Sequence, residues 1–176
     1  MENQTPTQPT EPEASVLDEG KLLQYKERLR MDQNMAMAFA GGSGAALVGG
    51  VAWAAVTVIT GYQIGWMAVG VGFLVGYSVR YLGKGIDTIF GVIGAALALL
   101  GCLLGNFFSL IGFASKQENI GVFDILSSID YNIVPQAMME AFSPMDLLFY
   151  GIAVYEGYRF SFRQITQQEV VENLAK

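Results

Sequence analysis

From Met35 to Thr60 the chain carries no Asp, Glu, Lys or Arg. At ~1.5 Å of rise per residue, a helix over that stretch reaches ~39 Å, more than the ~30 Å hydrocarbon thickness of a bilayer. Few folds are open to a chain of 176 residues that gives so much length to one uncharged run. The pattern then recurs. Tyr62–Leu82 holds one charge, Arg80, near its end, and Ile89–Ala114 holds none. A fourth apolar stretch, 144–163, contains Asp146 and Glu156. Backbone polar groups in lipid must bond within their own segment, so each stretch reads as a helix. The expectation is an all-α polytopic membrane protein. It is a four-helix transmembrane bundle with spans at 35–60, 62–82, 89–114 and 144–163, and an outer amphipathic helical segment over 115–143.

Composition sharpens what is excluded. The chain is 52% hydrophobic and 15% charged, against about 25% charged in an ordinary soluble domain. It has no histidine and one cysteine, Cys102. A zinc site, a Ser-His or Cys-His pair and an internal disulfide cannot be built from that inventory. The acids near the spans, Asp87, Asp146 and Glu156, fall at no catalytic spacing. The reading is therefore non-enzymatic, with no catalytic residues, no metal and no cofactor. The net charge is −6, and the bases form no face suited to nucleic acid.

The flanks set the orientation. Residues 1–15 (MENQTPTQPTEPEAS) have no apolar run and read as a disordered cytoplasmic tail. They lack the basic start and early apolar stretch of a secretory signal. Residues 16–34 read as an amphipathic juxtamembrane helix with Leu22, Tyr25 and Leu29 on one face and a basic patch of Lys26, Arg28 and Arg30. Gly61–Tyr62 and Gly83-Lys84-Gly85 are short links, with glycine expected to take the positive φ that closes each helix. In 115–143, Val122, Ile125, Leu126, Ile129 and Ile133 keep a helical period until Pro135 interrupts. Ser143-Pro144-Met145-Asp146 is a helix start, with Asp146 as a capping carboxylate, and Asp87 reads as the cap of the third span. Residues 164–176 form a C-terminal tail. With the N-terminus inside, the inner segments hold Lys21, Lys26, Arg28, Arg30, Arg80, Lys84, Arg159, Arg163 and Lys176, and the outer ones only Lys116. That bias places both termini in the cytoplasm.

Small residues fill the spans. In the third, Gly94, Ala98, Gly101, Gly105 and Ser109 form one stripe along a helix face. Small residues let helix backbones approach in lipid, where no hydrophobic drive acts between helices. The stripe serves either packing within the chain or an oligomer face. Charges inside spans are costly and often functional. Glu156 is the main one, with Arg80 and Arg159 as candidate partners. It is either a structural ion pair or an intramembrane proton or cation site. Asn106 is placed to hydrogen-bond across helices, and Cys102 is buried and inert. Arg80, Lys84, Arg159 and Arg163 gather near the inner headgroups and are candidates for anionic lipid.

The run GYSVRYLGKGID at 76–87, followed by Phe90-Gly91 and by GAALALLGCLLGN at 94–106, resembles a membrane hairpin of small, functionally uncharacterised bacterial integral membrane proteins. The resemblance implies a bacterial inner (cytoplasmic) membrane setting. It carries no activity. Two functional readings follow from the residues. One is a membrane subunit or scaffold that packs with itself, as a homo-oligomer, or with a membrane-complex partner. The other is a small oligomeric transporter or channel using Glu156.

Overall fold

The structure, a computed structural model, describes residues 11–166 and residue 169, with side chains from residue 20. Among the described residues there are seven helices and no strand: α1 (Glu11–Met31), α2 (Met35–Thr60), α3 (Trp66–Gly83), α4 (Thr88–Glu118), α5 (Val122–Ser128), α6 (Val134–Ala141) and α7 (Pro144–Phe160). They fall into two units. Asn34–Arg163 form one; the residues up to Gln33 and from Gln164 form the other.

The smaller unit is chiefly α1. Its helical backbone begins at Glu11, inside the stretch read as a disordered tail, and ends at Met31. Leu29 is buried, and Leu22 and Tyr25 are half-buried. Residues 1–10 and most of 164–176 lie outside the described residues.

In the larger unit α2 begins and ends where the uncharged run does. Asn34 caps it, its Oδ1 accepting from the Met37 amide at 2.9 Å. Gly61 closes it at φ 73°, donating its amide to the Thr57 carbonyl. The second link differs from expectation. Lys84, not a neighbouring glycine, takes the left-handed conformation at φ 50° and closes α3. Gly83 and Gly85 are instead needed for space, because a Cβ on either would run into the Phe90 ring.

The other boundaries shift for identifiable reasons. α3 starts at Trp66 rather than Tyr62, because Gly61–Gly65 form a turn. α4 runs past Ala114 to Glu118, since Lys116, Gln117 and Glu118 are good helix formers that lie beyond the apolar run. Asp87 holds the N-cap position of α4 but makes no side-chain capping bond. The single amphipathic period read through Ile133 is broken. α5 stops at Ser128, and Ile129 turns to extended backbone at φ −67°, ψ 136°. Both Ser127 and Ser128 hydroxyls bond back to the Asp124 carbonyl, and Asp130 Oδ1 takes the Asn132 amide in an Asx turn. Pro135 sits in the first turn of α6. α7 ends at Phe160.

Helices α2, α3, α4 and α7 pack side by side. α3 and α4 each touch all the others, whereas α2 and α7 occupy opposite corners. Across the centre the Trp53 ring of α2 meets the Tyr150 ring of α7 edge-on, with centroids 6.3 Å apart. Small residues line the close helix contacts, around larger buried side chains that include Trp53, Val71, Val75, Val79, Phe90 and Leu97. The buried stripe of α2 is Ala38, Gly42, Ala45, Ala46, Gly49, Gly50, Trp53, Ala54 and Thr57. Val48, Val51, Val92, Leu99, Leu100 and Leu103 face outward, Val48 at 62% exposure. In water each such side chain would forgo about 1.5–3 kcal/mol of burial.

Two helices are long and apolar enough to cross a membrane, Met35–Thr60 and Thr88–Glu118. A third is added if α6 and α7, bent by 97° at their junction, count as one span.

Candidate functional site

The predicted packing stripe on α4 is fully used inside the chain. Gly94 lies against the Gly157 carbonyl and Ser161 of α7, and a Cβ on Gly157 would sit 2.7 Å from the Gly94 oxygen. Ala98 abuts the same Gly157. Gly101 faces Ala46 and Val71, and Gly105 lies under the Trp53 ring. Buried Ser109 donates to the Gly105 carbonyl at 2.7 Å within its own helix. The stripe therefore seats α2, α3 and α7 at backbone distance. Gly44, Gly70 and Gly151, by contrast, have open space where a Cβ would point.

Glu156 is not joined to its candidate partners. No carboxylate among the described residues lies within salt-bridge distance of Arg80 or Arg159. Arg80 turns over the Tyr77 ring, 6.0 Å from its centroid. Arg159 lies between the rings of Tyr155 and Phe160, at 5.9 and 6.0 Å, with Nη1 reaching the Tyr155 hydroxyl at 3.5 Å. Both guanidiniums turn back along their own helices onto an aromatic ring one turn earlier. Glu156 is half-buried, and its Oε2 is enclosed without a hydrogen-bond partner.

The four candidate headgroup bases gather at one end. The Arg163 amide donates to the Gly85 carbonyl at 2.8 Å, bringing the end of α7 to the link that holds Lys84. Phe160 stacks on Tyr77, 5.4 Å between centroids, so Arg159 and Arg80 flank a single group of rings.

A polar cluster at the opposite end was not anticipated as a unit. Gln63, in the α2–α3 link, donates from Nε2 to Asn106 Oδ1 at 3.0 Å and to the Asp146 carboxylate at 3.4 and 3.5 Å. Asn106 donates from Nδ2 to the Tyr150 hydroxyl, which in turn approaches the Cys102 carbonyl at 3.4 Å. Asp146 is only 5% exposed and accepts from the Ser143 amide at 2.8 Å; Ser143 accepts from the Met145 amide, completing the capping box. The sequence expectation of a capping carboxylate thus describes half of its role, for Asp146 is both cap and buried acceptor. Asn106 bridges helices as its place in an apolar span implied. Tyr150, one turn after Asp146 on the same face, was the available signal for the rest.

Beside this cluster α5 and α6 fold back on the end of α4. Together they line a half-open apolar pocket of about 270 Å³, walled by Leu110, Ala114, Ile125, Ile129 and Val134. Cys102 is a buried free thiol. Among the described residues no group of three His, Cys, Asp or Glu side chains is placed to hold a metal.

These features define an all-helical protein with two, or up to three, helices suited to crossing a membrane. No family model matches the chain, and no curated protein or solved structure is significantly similar to it.

Proposed function

We propose that the chain is a four-span integral membrane subunit or scaffold, without enzymatic activity, that assembles laterally with itself or with a membrane partner. The observation that carries this reading is the apolar exterior of the uncharged helices, with Val48, Val51, Val92, Leu99, Leu100 and Leu103 exposed while glycine and alanine bring the helix backbones together inside. Only a lipid solvent removes the cost of that exterior.

α3 and α7 are the short spans. At 18 and 17 residues they rise ~27 and ~26 Å, a mismatch that local bilayer thinning accommodates. They run in the same direction, staggered by more than a turn: Gly65 and Trp66 meet Phe149, Gly72 meets Ala153 and Gly76 meets Phe160, while Gly85 and Arg163 meet beyond both helices. The Asn34 amide donates to the Gly83 carbonyl, and Gly112 packs on Val58, so α2 and α4 cross the same slab. Arg80, Lys84, Arg159 and Arg163 at one end, against Lys116 at the other, favour the basic end inside and both termini cytoplasmic. The hairpin resemblance favours a bacterial inner membrane.

With the α4 stripe occupied, lateral contact falls to outward small residues such as Gly70 and Gly151. Cysteines at those positions should give disulfide-linked dimers in native membranes, or crosslink a stoichiometric partner. A monomer that captures nothing in mild detergent and gives no crosslink from either position overturns the proposal.

The enclosed, unpartnered Oε2 of Glu156 favours a second reading, an oligomeric transporter or channel that binds a proton or cation there. Proton or cation flux in proteoliposomes that Glu156→Gln abolishes would support it, and flux that the substitution leaves unchanged removes it.

A further inference from the structure

On the outer side of α3, Phe73, Tyr77 and Tyr81 recur one turn apart, with neighbouring centroids at 6.3 and 6.2 Å and nearly parallel planes. Phe160 of α7 joins them, 4.6 Å from Phe73 and 5.4 Å from Tyr77. The result is a ridge of four rings that descends from the basic end toward the middle of the helices. A guanidinium rests on each flank, Arg80 over Tyr77 and Arg159 over Phe160. Neither forms an ion pair with a carboxylate among the described residues, Glu156 one turn before Arg159 included, and exposed Lys84 lies one turn beyond Arg80.

Unpaired guanidiniums at a membrane boundary attract an anion, and their planar fork matches phosphate. The rings extend the surface in a direction where only an apolar ligand gains from it. Free phosphate would engage the bases and leave the ridge unused. We propose that the α3–α7 ridge binds one anionic phospholipid, its phosphate between Arg80 and Arg159 and an acyl chain along Phe73 and Phe160. This rests on the bundle spanning a bilayer.

The test reconstitutes the full chain in nanodiscs of phosphatidylcholine doped with phosphatidylglycerol, and counts retained lipids by native mass spectrometry. Wild type should retain one phosphatidylglycerol in preference to phosphatidylcholine. Arg80→Gln with Arg159→Gln should lower that preference on the order of tenfold. Lys116→Gln, at the other end, should leave it unchanged. Equal retention of both lipids by wild type, an undiminished preference in the double variant, or displacement by inorganic phosphate overturns the site. A photoactivatable phosphatidylglycerol on unmodified chain gives a second readout, since crosslinks should map to 73–81 or 155–160 and labelling confined elsewhere overturns the site. A chain that retains neither lipid and enters no nanodisc instead refutes the membrane-spanning reading.

Discussion

Asp146 shows how a buried carboxylate can be held in this bundle without a basic partner. Its oxygens accept from the Ser143 amide and the Gln63 side chain at the N-terminus of α7, where the helix dipole favours negative charge. If capping is its main contribution, Asp146→Asn keeps an acceptor for Ser143 and should retain most of the stability. Asp146→Ala should lose about 1–2 kcal/mol. Reversible unfolding in mild detergent measures both, and equal losses would mean that charge, not capping, matters. This site was half legible in the sequence. Ser143-Pro144-Met145-Asp146 is a local signal, fixed by helix-start geometry alone. Gln63 and Tyr150 are separated from Asn106 along the chain, and only the packed fold shows that they meet. The reverse failure occurred at Glu156, where helical spacing suggested Arg159. Long flexible side chains choose among several neighbours, and here aromatic rings won.

Helix boundaries were read best where a polar cap borders an apolar run, as at Asn34 and Gly61 around α2. They were read worst where hydropathy and helicity part company. α4 leaves the apolar run at Ala114 yet stays helical to Glu118, and the α5 period fails because serine hydroxyls and an Asx turn compete for backbone groups. The α4 stripe was recognised from spacing, but its use was left open between two partners. The structure assigns it to α2, α3 and α7. Helix contact at this distance leaves no room for a side chain, so Gly94→Val should cost about 2 kcal/mol or more, as α7 is pushed off α4. Gly44→Ala, which meets open space, should be neutral or slightly stabilising. Thermal melting of both variants in detergent compares them directly, and similar behaviour would mean that the Gly94–Gly157 approach is unimportant.

For the molecule as a whole, the proposed topology has a convenient reporter. Cys102 is buried, so wild type should be silent to a membrane-impermeant maleimide in intact cells. Asp130→Cys should label from outside and Lys84→Cys only after lysis; the opposite result would invert the orientation. That the chain is all-helical, with helices suited to crossing a membrane, was legible because long uncharged apolar runs leave the backbone few alternatives to a helix. The arrangement of the helices was not, since small residues on every long helix make many pairings equivalent in one dimension. The corner position of α7 carries a consequence for how the protein can be made. Its seat is a furrow between α3 and α4, floored by Gly72, Gly76 and Gly94, and α2 contributes no backbone to it. Three helices should therefore form a receptive half without the fourth. Residues 1–129 and 130–176, expressed as separate polypeptides in one cell, should recombine and co-purify, and Gly94→Val in the first piece should prevent their reunion.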